Sequence, residues 1–375
     1  MTQGPGIGKK PVIVVVDDDL DEMSATLALL AKAACGVRPR EPDDVTADDL
    51  EAADLVLVDW RLDRWDRRAD ENKPIAVRPL DGLALAEVLR SHLGPRHAGR
   101  PTAFALHSGA LDQLRLGVPE TIQEFALARI HNLEWVFAKG GTGTLVPRFV
   151  SLGRALRGLP HPWPPDLREG QRALTTLLAM PDDPLAAQSV LDCHPPLHEL
   201  ARNSNGLTII RWLAQRILPY PTFLLDEWYV AARLGVAVGA LRDDLAGGGA
   251  ISQLLAPCLY TGALADFIEA RWWRTRIDDL LWQLTEGGAP GSLRVQEAIR
   301  SLAPDVQLLD VSTPVVCVDD KYRANVIVDA EDAVRIDLDD RPPFALAAWT
   351  TSDLARSDDG VRARVIPADR DRVET

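Results

Sequence analysis

The chain has 375 residues, of which 46% are hydrophobic and 26% charged, a composition typical of a soluble globular protein with about two or three domains. This composition excludes collagen-like, wholly disordered and disulfide-scaffold proteins, and no apolar run reaches the ~18 residues that a membrane helix needs. The net charge is −14, and most of the acidic excess follows Pro160, so we expect that half not to bind nucleic acid through its phosphate backbone.

The chain from residue 11 to residue 158 is predicted to alternate between strands and helices. Continuous β-branched runs, of which VIVVV is the clearest, indicate strands buried on both faces. The predicted strands are Val12–Val16, Leu55–Val58, Thr102–Leu106 and Glu134–Ala138, and one more strand is expected within the stretch Val37–Val45. The predicted helices are Leu20–Ala34, Gly82–Leu93 and Leu145–Leu159. Such alternation is typical of βαβ units, and it predicts a parallel sheet wrapped by helices.

A proline-rich segment, GLPHPWPP, marks the predicted boundary between two domains, because its four prolines cannot continue a helix. Beyond it the pattern predicts the helices Leu167–Met180, Gly206–Leu218, Phe223–Leu241 and Ala263–Thr285. Short strands are predicted at Val306–Leu309, Val315–Val318, Asn325–Val328 and Val334–Leu338. The predicted organisation is a first domain at 10–158, a linker at 159–166, a mostly α-helical α+β domain at 167–356 and a polar tail at 357–375.

Polar residues follow four of the predicted strands in the first domain. They are Asp17–Asp19, Asp59, Ser108 with Gly109, and Lys139. Because the carboxyl ends of parallel strands converge on one crevice, we expect these side chains to lie together. Clustered carboxylates attract a hard cation such as Mg²⁺, which leaves a face open for a phosphoryl group. A lysine and a hydroxyl suit the remaining phosphoryl oxygens, while an aspartate attacks in line.

Five segments of the first domain, in this order, resemble the response-regulator receiver family. They are PVIVVVDDD (Pro11–Asp19), LVLVDWRL (Leu55–Leu62), DG (Asp81–Gly82), ALHSG (Ala105–Gly109) and WVFAKG (Trp135–Gly140). The resemblance is confined to the first domain, and the second half matches no known effector domain. It implies an α/β flavodoxin-like fold, a doubly wound parallel five-stranded sheet with the order 2-1-3-4-5.

The resemblance also implies roles for the residues at the strand ends. Asp59 is implied to be the phospho-acceptor, Lys139 the lysine that binds the phosphate and Ser108 the hydroxyl that responds to it. The implied Mg²⁺ ligands are Asp17, Asp18, Asp59 and the backbone carbonyl of Arg61. The implied partner is a histidine kinase or a phosphotransfer protein, which donates the phosphoryl group.

The sequence departs from the family pattern around the same site. The connection from Asp59 to Asp81 is long and basic, with Arg61, Arg64, Arg67, Arg68, Lys73 and Arg78. Lys139 is followed by Gly140 and Gly141 where the family has proline, and Val136 stands in place of an aromatic residue. We therefore expect the phosphorylation chemistry to be preserved and its readout to differ.

Four further groups of residues are weighed against simpler structural roles. His107 is a candidate phosphoryl relay, although a histidine at the end of a buried strand is more commonly a packing residue. Cys193, His194 and His198, preceded by Asp192, are candidates for half a metal site or for a thiol nucleophile with its base. Another group is Trp272-Trp273 between Arg271 and Arg274, for which burial in the core is favoured. The last group comprises the acidic pairs Asp226-Glu227 and Asp319-Asp320, for which turn or surface roles are favoured.

The sequence thus predicts a bacterial two-component signalling protein whose second domain acts by contact with an unknown protein partner. Four scattered cysteines without a CxxC pair, and a first segment that lacks a signal peptide, predict a cytoplasmic protein without a membrane partner. Three alternatives remain. They are a phosphate sink or relay component, for instance in a defence-type phosphorelay, an enzyme in the second half under receiver control, and a degenerate receiver that binds partners without phosphorylation. A homodimer and a separate catalytic activity are both left open.

Overall fold

The computed structural model describes residues 10–65, 79–94, 100–109, 111, 120–139, 142–203, 205–287 and 289–374. Within these residues the chain forms two compact units that are not contiguous in sequence. The first unit takes in the chain up to Met180 together with Pro195–Gln215 and Gly262–Ile268. The second unit consists of Pro181–His194, Arg216–Thr261 and the chain from Glu269 onward.

The first unit contains a five-stranded sheet in which all neighbouring strands are parallel. Its strands are β1 (Val12–Val16), β2 (Gly36–Arg40), β3 (Leu55–Asp59), β4 (Ala103–Ser108) and β5 (Trp135–Ala138). Their order is β2-β1-β3-β4-β5, which confirms the predicted doubly wound sheet. Strands β3 and β4 are buried along their whole length, as the continuous apolar runs predicted.

The helices that accompany this sheet are α1 (Ser24–Lys32), α2 (Ala47–Ala52), α3 (Gly82–Leu93), α4 (Gln123–Ile130) and α5 (Thr142–Gly158). The α3 bounds agree with the prediction, whereas α2 and α4 were not predicted. Helix α1 begins four residues later than predicted, at Ser24 instead of Leu20. The strand expected within the stretch Val37–Val45 is β2, which begins at Gly36 and ends at Arg40, because Pro42 begins a short 3₁₀ helix.

The remaining helices are α6 (Leu167–Leu177), α7 (Pro184–Asp192), α8 (Leu197–Asn203), α9 (Leu207–Trp212), α10 (Glu227–Leu234), α11 (Val238–Gly247), α12 (Ala250–Leu255), α13 (Arg274–Thr285), α14 (Leu293–Leu302), α15 (Ser352–Ser357), α16 (Asp359–Ala363) and α17 (Asp371–Glu374). The remaining strands are β6 (Leu224–Leu225), β7 (Trp272–Trp273), β8 (Pro314–Val318), β9 (Ala324–Asp329), β10 (Ala333–Ile336) and β11 (Ala348–Thr351). No helix among the described residues has the length and apolar character that crossing a membrane requires.

The predicted linker at 159–166 is packed and does not separate the two units. Leu159 and Trp163 are 2% and 1% exposed, and the first unit continues past them through α6 to Met180. Burial of a tryptophan and a leucine anchors this proline-rich segment to the unit that it was expected to leave. The boundary in the structure therefore differs from the sequence prediction.

The second unit combines helices with a four-stranded sheet of order β10-β11-β8-β9. The predicted helix over 223–241 is wrong as one element, because Gly235 adopts a φ of 68° and ends α10 there. The predicted helix over 263–285 is helical only from Arg274, after the strand β7, which pairs with β6. The predicted strand at 306–309 makes a single bridge, between Val236 and Leu308, in the described part of the chain.

The predicted polar tail is part of the core of the second unit. Val361, Val365 and Val373 are each at most 7% exposed and pack with residues of β10 and β11. Asp369 accepts hydrogen bonds from the backbone amide and the guanidinium of Arg335 on β10. The sequence predicted a tail because the three valines are separated by many charged residues, of which Asp369 is buried and Arg362 and Arg370 are exposed.

Substitution of Val365 with alanine is expected to weaken the sheet of the second unit. The removed methyl groups are buried against β10, so we expect a loss of about 1–2 kcal/mol in the free energy of local opening. Hydrogen exchange of peptides that cover β10 and β11 measures this loss. The matched control is Leu293→Ala, whose side chain is 73% exposed and whose loss should stay below ~0.5 kcal/mol. Unchanged exchange in Val365→Ala would mean that the C-terminal segment does not support the sheet.

Candidate functional site

The register of the parallel sheet gathers four strand ends at one edge. Val16 of β1 lies opposite Val58 of β3, so Asp17 and Asp59 end adjacent strands. On the other side of β3, strands β4 and β5 are in register up to Ser108 and Ala138. Lys139 follows directly, and its backbone amide donates to the carbonyl of Ser108 at 2.7 Å.

Three carboxylates form the centre of this edge, together with one ammonium group. Asp17, Asp18 and Asp59 each offer an oxygen, and these oxygens lie within 4.8 Å of one another. The Lys139 Nζ is 2.9 Å from an oxygen of Asp59 and 3.8 Å from an oxygen of Asp17. When all four groups are ionised, this cluster carries two more negative charges than positive ones. Such an excess, in a largely buried place, favours a divalent cation.

The electrostatics of the cluster follow from burial and from the like charges. Burial, with the neighbouring charge of Asp59, raises the pKa of Asp17 from 3.8 to about 7. Burial also raises the pKa of Asp59, although the charge and hydrogen bond of Lys139 and a hydrogen bond from the backbone of Arg61 oppose this. Burial lowers the pKa of Lys139, but Asp59 and Asp17 outweigh it and the pKa is raised overall. The lysine is therefore the charged partner of carboxylates that hold a proton more tightly than usual.

The first residues after β3 complete the wall of the site. The backbone amide of Arg64 donates to Asp18 at 2.6 Å, and its guanidinium forms an ion pair with Asp19. The Asp19 carboxylate also accepts from the backbone amide of Glu22 at 3.2 Å, within the turn that precedes α1. Sequence analysis did not assign Arg64 to the site, because its position depends on the path of the loop.

These residues enclose a polar cavity of about 290 Å³. It is lined by Asp17, Asp18, Asp19, Glu22, Asp59, Arg61, Asp63, Arg64, Gly109 and Lys139. Of the six site residues predicted from the sequence, five line it. Ser108 is the exception: it is 2% exposed at the end of β4 and is not among the lining residues. The structure does not describe several residues named from the sequence near this site. They are four basic residues of the long connection after Asp59, namely Arg67, Arg68, Lys73 and Arg78, and the two glycines after Lys139, Gly140 and Gly141.

His107 lies behind the site, opposite Asp59 in the β3–β4 register. It is 5% exposed, and its ring contacts Phe149 edge-on at 5.4 Å. Burial, assisted by the charge of Lys139, lowers the pKa of His107 to about 3. A neutral, enclosed imidazole packed on an aromatic ring fits the packing role better than a phosphoryl relay.

The Asp81-Gly82 pair holds the start of α3 close to the end of β3. The Asp81 side chain caps α3 by accepting from the amide of Ala84 at 2.9 Å. Gly82 donates to the carbonyl of Trp60 at 2.9 Å, and a Cβ at this glycine would lie 1.9 Å from the carbonyl oxygen of Asp59. The glycine is therefore required by a backbone contact directly beneath the acidic site.

Substitution of Gly82 with alanine is expected to displace Asp59, since the added methyl group meets backbone atoms that cannot rotate away. We expect a loss of about 3 kcal/mol in stability and weaker binding of divalent cations. Chemical denaturation and a cation titration measure the two effects. In the control, Gly239→Ala, the added Cβ meets nothing within 4 Å, and stability should be unchanged or slightly higher. Equal stability of the two variants would contradict a steric requirement at Gly82.

Most of the candidate residues of the second half lie apart from one another. Trp272 and Trp273 are buried on β7, which confirms burial but corrects the helix predicted there. Asp226 caps α10, Glu227 forms an ion pair with Arg242, and Asp319 accepts from backbone amides of its own turn.

Asp192, Cys193 and His194 line a different cavity, which His198, Asp226 and Glu227 do not line. Burial raises the pKa of the Cys193 thiol to about 11. The thiol is therefore protonated at neutral pH, which argues against the nucleophile that the sequence left open.

Comparison with known proteins leaves the family of the chain open. No family model matches it, and no curated protein matches it. One similar solved structure is the response regulator ChrA of a heme-sensing two-component system. That match has a TM-score of 0.25 and 13% identity, and it covers 69% of this chain and 94% of the other. Similarity of this degree does not identify a shared fold.

Proposed function

We propose that this chain is a phosphoryl-accepting signalling protein of the response-regulator type, with Asp59 as the acceptor. The observation that carries the proposal is the cluster of Asp17, Asp18 and Asp59 at the carboxyl edge of a 2-1-3-4-5 parallel sheet. The Lys139 ammonium lies 2.9 Å from the proposed acceptor. In doubly wound sheets, ligands bind in the crevice at this edge, where the carboxyl ends of the strands lie.

The donor set suits Mg²⁺, because the carboxylate oxygens are hard ligands and few enough to leave coordination positions for water and phosphoryl oxygens. Asp17, Asp18 and Asp59 are the proposed side-chain ligands, and the backbone carbonyl of Arg61 is the proposed fourth protein ligand. When bound, the ion supplies positive charge to the phosphoryl oxygens during transfer.

In the proposed reaction a carboxylate oxygen of Asp59 attacks the phosphorus of the donor. A new P–O bond forms as the bond from phosphorus to the donor breaks, and the leaving group departs with the electron pair. Lys139 then exchanges part of its contact with Asp59 for a phosphoryl oxygen. Ser108, buried at the end of β4, is proposed to turn its hydroxyl toward the same group.

The proposed donor is a histidine kinase or a phosphotransfer protein, in which a phosphohistidine carries the group. We propose that the second unit transmits the signal by contact with a protein partner, as phosphorylation shifts the chain between two populations. The raised pKa of the Cys193 thiol disfavours one form of the enzyme alternative, in which that cysteine is the nucleophile.

The test is covalent phosphate incorporation from a small acyl phosphate, measured by mass spectrometry of the intact protein and its peptides. We expect one phosphate per chain in the presence of Mg²⁺, and at least a hundredfold less when the ion is chelated. Asp59→Asn removes the attacking oxygen and should abolish labelling. The matched control is Asp63→Asn, an exposed carboxylate of the same cavity, which should label normally.

Two outcomes would overturn the proposal. One is absence of labelling in folded protein at saturating Mg²⁺, which would favour a degenerate receiver that only binds partners. The other is labelling that persists in Asp59→Asn, which would place the acceptor elsewhere. A circular dichroism spectrum of each variant separates these outcomes from a failure to fold.

A further inference from the structure

A second cavity, of about 390 Å³, lies within the second unit and far in sequence from the acidic site. It is lined by Ser189, Asp192, Cys193, His194, Thr222, Phe223, Arg274, Pro343 and Phe344. Its volume falls in the range of pockets that hold small molecules. Its lining combines the cation Arg274 with hydroxyl groups, a thiol, an imidazole, aromatic rings and one carboxylate, that of Asp192, which accepts a hydrogen bond from Gln188.

The cation is Arg274, the first residue of α13. This half-buried guanidinium makes no hydrogen bond or ion pair within the described part of the chain. It faces the charge of Asp278, but that carboxylate is already paired with Arg233. An arginine on a cavity wall without its own counterion is suited to bind a carboxylate or a phosphate.

The beginning of α13 strengthens this preference for an anion. Its N-cap residue, Trp273, provides no side-chain hydrogen bond, and the first turn contains no acidic residue. The turn instead carries Arg274 and Arg276, although positive charge is unfavourable at a helix N-terminus. The Arg274 amide already donates to the carbonyl of Phe223, but a bound anion would offset the positive charge of the two arginines and complement the helix dipole.

An independent observation comes from the hydroxyl group of Thr222. Thr222 lines the same cavity, is 1% exposed, and its Oγ1 has no hydrogen-bond partner among the described residues. Because buried hydroxyl groups are normally satisfied, this one indicates a missing polar partner. The nearby aromatic side chains of Phe223 and Phe344 supply an apolar wall.

We propose that this cavity binds a small organic anion, a carboxylate or a phosphate carried by a flat apolar group. The anion pairs with Arg274 and accepts from the Thr222 hydroxyl, and the flat group packs against Phe344. The proposal is independent of phosphorylation at Asp59, and a loss of one leaves the other intact.

Ligand-observed NMR titrations with benzoate and phenyl phosphate test the proposal on the full chain. We expect saturable binding of at least one of them with a Kd of about 1 mM or tighter, whereas the uncharged benzamide binds at least tenfold more weakly. Comparison of benzoate with phenyl phosphate identifies which anionic group the cavity prefers. Comparison of phenyl phosphate with inorganic phosphate shows how much the ring contributes to the affinity. No saturable binding of either ring-bearing anion would overturn the proposal.

Variants locate the binding in the cavity. Arg274→Gln should lower the affinity at least tenfold, and Arg274→Lys should restore part of it. The matched control is Arg276→Gln, which removes the other arginine of the same helical turn but does not line the cavity. An equal loss in this control would overturn the proposed contact.

Thr222→Val, which removes only the hydroxyl, should lower the affinity several-fold, and it provides a second test if Arg274→Gln does not fold. Binding that is unchanged in Thr222→Val would remove the hydroxyl contact from the proposal. The probes should bind equally well to Asp59→Asn, because the acidic site contributes nothing to this cavity.

Discussion

Replacement of Lys139 with alanine is expected to slow phosphoryl transfer to Asp59 while strengthening the binding of Mg²⁺. The ammonium lies 2.9 Å from Asp59 and 3.8 Å from Asp17, so it offsets the charge of both carboxylates. Without it, the carboxylates keep a larger excess of negative charge, and a divalent cation gains more by binding. We expect the affinity for Mg²⁺ to rise about tenfold, which corresponds to ~1.4 kcal/mol.

The rate of phosphoryl transfer should fall in the same variant by about 10²–10³, because a preorganised positive charge that faces the transferred group is lost. Initial rates of labelling at saturating Mg²⁺ and a cation titration measure the two effects separately. Lys32→Ala, an exposed lysine at the end of α1, is the matched control and should change neither quantity. A purely structural role for Lys139 would instead lower both the rate and the affinity for Mg²⁺, together with the thermal stability.

The sheet and the centre of the candidate site were predictable because both depend on local sequence. The uninterrupted apolar runs of β1, β3, β4 and β5 can be satisfied only by burial on both faces. The residue after each such strand must then lie at one edge of the sheet. This rule brought Asp17, Asp59 and Lys139 together without knowledge of the helices. It could not place Arg64, whose contact with Asp18 depends on the conformation of a loop.

The extent of the first unit was not predictable, because it depends on contacts between distant parts of the sequence. Arg211 donates to the buried carboxylate of Glu134 beside β5, at 2.6 and 2.9 Å. The Gln215 amide donates to the carbonyls of Leu133 and Glu134. Phe267 packs edge-on against Trp135 at 4.9 Å. Polar and aromatic contacts of this kind leave no periodic pattern in the sequence, so a division at the proline-rich segment seemed sufficient.

The errors in the second half have a related cause. Apolar periodicity predicted one helix over 223–241, but it does not reveal that Asp226 caps a new helix or that Gly235 takes a positive φ. The Trp272-Trp273 pair satisfied a helical pattern, although its burial is achieved on a strand that pairs with β6. Short elements that alternate with turns are therefore fixed by their tertiary contacts more than by their own periodicity.

Without divalent cations, the contribution of Asp17 to the stability of the protein is expected to fall as the pH rises from about 4 to 7, whereas that of His107, whose pKa burial lowers to about 3, rises over much of the same range. Burial and the charge of Asp59 raise the pKa of Asp17 from 3.8 to about 7. In this range the unfolded chain has released the proton that the folded chain still holds, so a rise in pH favours unfolding. Asp49 has the opposite behaviour, because a hydrogen bond from Arg40 holds its pKa below the usual range. The contribution of Asp49 to stability is lost only below about pH 4, so it stays constant between pH 4 and 7.

Magnesium should reverse this trend, because the ion requires ionised carboxylates and therefore binds more tightly as the pH rises. At a concentration of 100 times the Kd, the expected stabilisation is about 2.7 kcal/mol, and it should be larger at pH 8 than at pH 5. Thermal unfolding at several pH values, in chelator and in Mg²⁺, measures both effects. Asp17→Asn should remove the stabilisation by the ion and the loss of stability with rising pH that Asp17 causes, whereas Asp63→Asn should retain both. A bound cation gains the most binding free energy from a buried carboxylate that otherwise holds a proton near neutral pH, and Asp17 is that carboxylate. A stabilisation by Mg²⁺ that survives in Asp17→Asn would therefore place the ion outside the cluster.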